Sequence, residues 1–340
     1  MGFTSLERNA VRLLSILLAL ILVFNFASPI YGGANENQKP TVIIVVGAPG
    51  EPEYKEQFSN CAELWRQACL KGNDNPVFVG LDTVQDSNDL DIIQQIIDNE
   101  QKETSVALWL VLIGHGTFDS KTAKFNLRGP DLSAKTLAGW LKPFKRPIIV
   151  IDTSSSSAPF LSELSGPNRV IITATKSGYE LNYARFGQYF ADALSEPQAD
   201  LDKDGQTSLL ETFLIASQRV AEFYETQGRL ATEHALLDDN GDGLGTPADW
   251  FRGIRPIKKS AENANLDGYR AHQFNLVKSD IEEKMPLELR EKRNQLELEV
   301  IKLRDSKDIY PEDEYFSRLE TLLYKIAKIY EEIDKNYNSS

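Results

Sequence analysis

The stretch Ile148-Ile149-Val150-Ile151-Asp152-Thr153-Ser154-Ser155-Ser156-Ser157 decides how this chain is read. A β-branched apolar run stops abruptly at a carboxylate and a row of hydroxyls. That pattern is a buried strand surfacing into a turn. A second run, Val106 to Ile113, stops as sharply at Gly114-His115-Gly116. An open parallel sheet gathers its site outside the carboxyl ends of its strands. Two such ends therefore bring candidate chemistry to one crevice.

Working outward, Thr41 to Val46 is another β-branched run, broken at Gly47-Ala48-Pro49-Gly50. A helical pattern follows over 53–71, then a short strand at Val77-Phe78-Val79. Leu90, Ile93, Ile96 and Ile97 recur at helical spacing, and Ser133 is placed to cap a helix carrying Leu137 and Trp140. Arg169 to Ala174 is a further strand, and a helix is expected from Phe186 to Leu194. Strands alternating with helices imply βαβ crossovers and a mostly parallel sheet with helices on both faces. The strand-end rule then places Gly47–Glu53, His115, Asp152–Ser157 and Thr175–Tyr179 around one crevice.

His115 lies between two glycines at a strand end. Glycine there permits a tight turn and close backbone approach, and histidine titrates near neutral pH. These are the properties of a general base. Asp152–Ser157 by itself reads equally well as a hydroxyl-rich turn; the pairing of the two strand ends is the more informative signal.

The order of these motifs resembles the caspase-like cysteine peptidases, and within them the legumain-like bacterial group. Gly114-His115-Gly116 is similar to the family's histidine motif. Asp152-Thr153-Ser154-Ser155-Ser156-Ser157 is similar to its nucleophile motif, with Ser154 where cysteine stands and Ser157 where glycine usually stands. Val170–Ala174 with Thr175-Lys176-Ser177 resembles the next strand and its pocket loop, and Thr232-Glu233-His234-Ala235-Leu236 the segment entering the last strand. The resemblance covers about residues 40–255. It implies a caspase-like three-layer α/β sandwich with a mostly parallel sheet. It also implies His115 as base, Ser154 at the nucleophile position, and the amides of Gly116 and Ser154 as oxyanion donors. A serine hydroxyl is far less acidic than a thiol and needs a well-coupled base with an orienting third group. No Asp or Glu in the histidine motif is an obvious orienter for His115; Asp119, just beyond it, is the candidate. The leading expectation is a peptidase-type domain that binds peptide or protein without cutting it. A working Ser154–His115 hydrolase and a calcium-stabilised interaction scaffold are the competing expectations.

Asp200-x-Asp202-x-Asp204-Gly205, with Glu211 closing a twelve-residue span, matches a calcium loop. The ligands would be Asp200, Asp202, Asp204, the Gln206 carbonyl and Glu211, holding a structural calcium ahead of a helix over 208–227. Asp238, Asn240, Asp242 and Gly243 repeat the spacing, but Gly245 and Pro247 interrupt the exiting helix. No other cofactor is required by the sequence.

Residues 1–34 read as a secretory signal: Arg8 and Arg12, an apolar run from Leu13 to Ala27, then Gly32-Gly33-Ala34. The chain is therefore expected to be exported, periplasmic or extracellular, and held at a membrane only where that segment stays uncleaved. The 340-residue chain carries a formal charge of −13. Removing Glu7, Arg8 and Arg12 takes away a net +1 and leaves about −14. No clustered basic surface is visible, which argues against nucleic acid as a partner. Cys61 and Cys69 lie on one helical pattern, roughly 12 Å apart along the axis, too far for a bridge. They read as buried small apolar residues.

From about residue 255 the composition changes. Lys258–Ala264 reads as a linker. Leu289, Leu296, Val300 and Leu303, then Leu319, Leu322, Ile326, Ile329 and Ile333, recur at heptad-like spacing on either side of a Pro311-containing turn. Residues 265–340 are thus expected to form an antiparallel helical hairpin, a coiled-coil-like appendage that either packs on the main domain, pairs with another copy or binds a protein.

Overall fold

The computed structural model describes residues 39–81, 88–262 and 264–337. The secretory segment expected over residues 1–34 lies outside them. Four apolar strands form the centre of the sheet: β1 (Thr41–Val46), β3 (Leu108–Ile113), β7 (Ile148–Asp152) and β8 (Arg169–Thr173). With β2 (Val77–Val79) on one side, and β9 (Leu236–Asp238) and β10 (Thr246–Pro247) on the other, the order is β10-β9-β8-β7-β3-β1-β2. Neighbours from β2 to β8 run parallel, while β9 and β10 join antiparallel.

Every residue of β3 and β7 is buried, which is why these strands read as unbroken apolar runs rather than alternating ones. The pleat still sorts their side chains between two cores. Val42, Ile44, Trp109, Val111, Ile149 and Ile151 face one. It is completed by Phe58 and Trp65 of α1 (Pro52–Lys71), Phe186 and Phe190 of α5 (Phe186–Ala193), and Phe213 of α6 (Leu209–Thr226). Ile43, Val45, Leu110, Leu112 and Val150 face the other. That side is closed by Ile93 and Ile97 of α2 (Asp89–Asn99), Leu137 and Leu141 of α3 (Ala134–Leu141), and Phe160 and Leu164 of α4 (Ala158–Leu164). The chain is therefore a three-layer α/β sandwich with a mostly parallel sheet.

Local signals set the helix ends. Asn88 and Ser133 cap α2 and α3 by accepting from Asp91 N–H and Thr136 N–H. Ser208 and Glu211 form a reciprocal capping box on α6. Cys61 and Cys69 are free and buried. Burial pushes both thiols up to about 12, so they are inert apolar groups at neutral pH.

A small antiparallel sheet, β4 (Gly116–Phe118), β5 (Ala123–Phe125) and β6 (Leu132–Ser133), branches off directly after His115. Residues 267–276 belong to the main core. Ala271 and Leu276 are buried in it, and the Asp267 carboxylate accepts from the amides of Asp239 and Asn240 at 3.0 and 3.1 Å. Beyond them come α7 (Asp280–Lys284), α8 (Leu287–Asp305) and α9 (Glu312–Tyr337). The last two form the expected hairpin, turning through Pro311. Met285, Leu296, Ile329 and Ile333 make its own small core. No helix among the described residues is long and apolar enough to cross a membrane.

Candidate functional site

The parallel registers align the strand ends: Val46 beside Ile113, Leu112 beside Asp152, and Asp152 beside Thr173. The four segments expected at the crevice therefore meet. Tyr54, at the start of α1, lies edge-on to His115 with ring centroids 4.5 Å apart; Phe58 follows at 5.0 Å and Tyr183 at 6.1 Å. One imidazole nitrogen is hydrogen-bonded to the Pro49 backbone, and burial among these rings lowers the His115 pKa below its ordinary value. That shift favours the neutral ring. Asp119 sits in the β4–β5 turn, where its carboxylate accepts from the amides of Lys121 and Thr122 at 3.0 and 2.7 Å.

Gly116 lets the histidine turn press against the serine loop. A Cβ at this position would lie 2.1 Å from the Ser155 carbonyl oxygen and 2.8 Å from Ser154 Oγ. The contact is closed by a reciprocal pair: Gly116 N–H donates to Ser155 Oγ, which donates back to the Gly116 carbonyl, both at 3.2 Å.

The serine loop is buried from Asp152 to Ser157. Ser154 Oγ donates to Asp152 Oδ1 at 2.6 Å, and Ser154 N–H donates to the same oxygen at 3.0 Å. Burial pushes the Asp152 carboxyl up to about 7, and its Oδ2 is buried without a hydrogen-bond partner. Ser156 adopts φ +57°, and its hydroxyl is buried unpartnered. Ser157 Oγ accepts from the amides of Ala174 and Thr175 at 3.1 and 3.2 Å, tying the loop to the end of β8. The two backbone donors expected to face an oxyanion are both engaged within the loop pair. Among the described residues, no hydrogen bond joins Ser154 to His115.

A second histidine pair adjoins the loop. Ser156 N–H donates to the Glu180 carbonyl at 2.9 Å. The Glu180 side chain meets His234 Nδ1 at 2.5 Å and accepts from Lys176 N–H at 2.9 Å. This is the carboxylate–imidazole arrangement that His115 lacks. The partners are 54 residues apart, and no spacing in the chain announces them. Only the antiparallel pairing of β8 with β9, Thr173 beside Leu236, brings the loop after one strand against the entry to the other. Next to His234 is an open, mostly apolar recess of about 180 Å³ whose lining includes Ala174, Phe186, Val220, Ala221, Ala235 and Pro247.

The acidic loop gathers three of its expected ligands. Asp200, Asp202 and Asp204 hold oxygens all within 4.8 Å of one another. Asp200 Oδ2 accepts from Gly205 N–H at 3.2 Å, while Oδ1 is buried without a partner. The Gln206 amide donates to Asp204 at 3.0 Å. Glu211 turns to the helix instead: Oε2 accepts from Ser208 and Oε1 from the amides of Leu201 and Asp202. In the second acidic loop, Asp238 accepts from the amides of Gly241 and Gly243.

No protein-family model matches the chain, and no curated protein matches it. Among solved structures it is similar to the Drosophila initiator caspase Dronc at 10% identity, covering 61% of this chain and 81% of that one with a TM-score of 0.39. Caspase-1 from Spodoptera frugiperda matches at 11% identity over 60% and 90%, also with a TM-score of 0.39. A protein from Geobacter sulfurreducens matches at 11% identity over 54% and 89%, with a TM-score of 0.36. The fold described above rests on the strand order and registers themselves.

Proposed function

We propose that this chain is an exported peptidase-type protein that grips peptide at the crevice and does not cleave it. The observation that carries this reading is the state of Ser154. Its hydroxyl is fully buried and donates to the Asp152 carboxyl 2.6 Å away. A nucleophile must be reachable by the substrate, whereas Ser154 is closed off from solvent and, among the described residues, bonds to no histidine. Stabilising the tetrahedral intermediate also needs free donors aimed at the oxyanion. Here the amides of Gly116 and Ser154 are already bonded. The crevice retains features suited to binding an extended chain: the aromatic group around His115, the His234–Glu180 pair and the adjoining apolar recess, which fits one aliphatic side chain. Export is supported by the order of basic, apolar and small residues over 1–34.

Purified protein tested against a fluorogenic peptide library and a serine-directed phosphonate is expected to show neither turnover nor labelling. Labelling that disappears in Ser154→Ala would overturn the proposal in favour of a working hydrolase. Peptide capture by the same protein should weaken on filling the recess with Ala221→Trp, at an exposed position that tolerates bulk.

A second reading concerns the loop at 200–211. Three carboxylates crowded together repel one another unless a cation lies between them. The buried, unpartnered Asp200 Oδ1 favours calcium as that cation, bound by Asp200, Asp202 and Asp204 with the Gln206 carbonyl. Glu211 would have to leave the helix cap to join them.

A further inference from the structure

Away from the crevice, an open cavity of about 380 Å³ lies between the helical hairpin and the segments it packs on. This is within the usual range of small-molecule sites. Four separate parts of the chain build it: the first turn of α6, the turn between β11 (Phe251–Arg252) and β12 (Arg255–Pro256), the segment 268–273, and the facing sides of α8 and α9. Leu210, Ile254, Val300, Ile301, Leu323 and Ile326 supply its apolar wall.

Its charged lining is uneven. Glu297 is engaged by Gln273 Nε2 at 3.2 Å and by Arg293 Nε at 3.6 Å. His272 is engaged by Asp202 Oδ2 at 3.0 Å. Arg255 and Arg304 also line the cavity, both exposed. Asp305 and the Tyr269 hydroxyl lie within electrostatic reach of both guanidiniums, yet neither arginine forms an ion pair or side-chain hydrogen bond among the described residues. Both guanidiniums act on the same two groups, Asp305 and Tyr269, which sets them on one side of the cavity, and guanidinium forks suit a carboxylate bidentately. The aliphatic wall, in turn, offers nothing to a polar ligand body.

We infer that this cavity binds an amphiphilic monoanion, a straight-chain carboxylate whose head group lies between Arg255 and Arg304 and whose tail runs along Val300, Ile301, Leu323 and Ile326. The proposal is independent of the reading of the crevice.

Titration calorimetry of the full chain with sodium decanoate, below its micellar concentration, tests it, with decanol and acetate as controls. Decanoate should bind at one site, while decanol and acetate should bind at least tenfold more weakly. Arg255→Gln/Arg304→Gln should weaken decanoate roughly tenfold or more, the loss expected for charge-assisted hydrogen bonds. Leu323→Trp, at a half-exposed position, should block the tail and abolish binding. Melting curves without ligand establish that both variants are folded. Failure of the wild-type protein to bind decanoate would overturn the inference. So would equal affinity for decanol, or undiminished binding by either variant.

Discussion

At Ser156 the chain accepts two local costs at once. A non-glycine residue at φ +57° costs roughly 1–2 kcal/mol. Leaving its buried hydroxyl unpaired adds a penalty of about 1–3 kcal/mol. Ser156→Gly removes both while keeping the Ser156 amide that donates to Glu180. We expect it to raise the melting temperature, read by circular dichroism; an unchanged or lower value would show that the hydroxyl has a partner in solution. Gly116 behaves oppositely, because a side chain there must displace the Ser155 carbonyl. That the His115–Gly116 turn and the Ser154 loop would meet was legible from two strand ends. The internal bonding that consumes their donors was not, because it depends on where Ser155 and Asp152 point, and four consecutive serines give no hint of which hydroxyl faces what.

At the scale of single elements, α6 depends on its N-terminus. Ser208→Ala breaks the capping box and should cost about 1 kcal/mol of stability by urea titration. The same turn is joined to the acidic loop through Glu211, whose Oε1 accepts from Leu201 and Asp202. If calcium binds there, the cap and the metal are coupled. Saturation at a hundredfold over Kd should stabilise the chain by roughly 2.7 kcal/mol, and Asp202→Asn with Asp204→Asn should abolish that gain. No shift in thermal melting at millimolar calcium would remove the calcium reading. The loop's three aspartates were legible from spacing alone; the alternative use of Glu211 was not, since a twelfth-position ligand and an N3 capping glutamate are the same residue in sequence. The strands of the main sheet were readable because burial on both faces writes them as continuous apolar runs. The short strands β4 to β6 were missed, being two or three residues each and lacking any periodicity.

Across the whole molecule, buried carboxyls set the response to pH. Burial pushes Asp152 up to about 7. Burial, with Asp239 alongside, pushes Asp267 up to about 8. Both therefore hold more protons in the folded than in the unfolded chain between the ordinary aspartate range and those values. Stability should fall as pH rises through that window, by up to about 1.4 kcal/mol per pH unit for each proton released. Melting temperature is expected to be higher at pH 5.5 than at pH 8, and Asp267→Asn should flatten the slope. A melting temperature that climbs from pH 5.5 to pH 8 would contradict this.

The carboxylate of Asp239 accepts from the amides of Gly268 and Ala271 at 2.9 and 2.7 Å, while Asp267 reaches back to Asp239 and to Thr246. This clasp fixes where the protein can be cut. A protease opening the chain near residue 264 would strip away Asp267 and leave Asp239 without its donors, together with the places that Ala271 and Leu276 fill. Cleavage just before α7, where residues 277–280 are half-buried or exposed, would instead release the hairpin together with Met285 in its core. Limited digestion should therefore yield a persistent fragment ending near residue 279 rather than near 264.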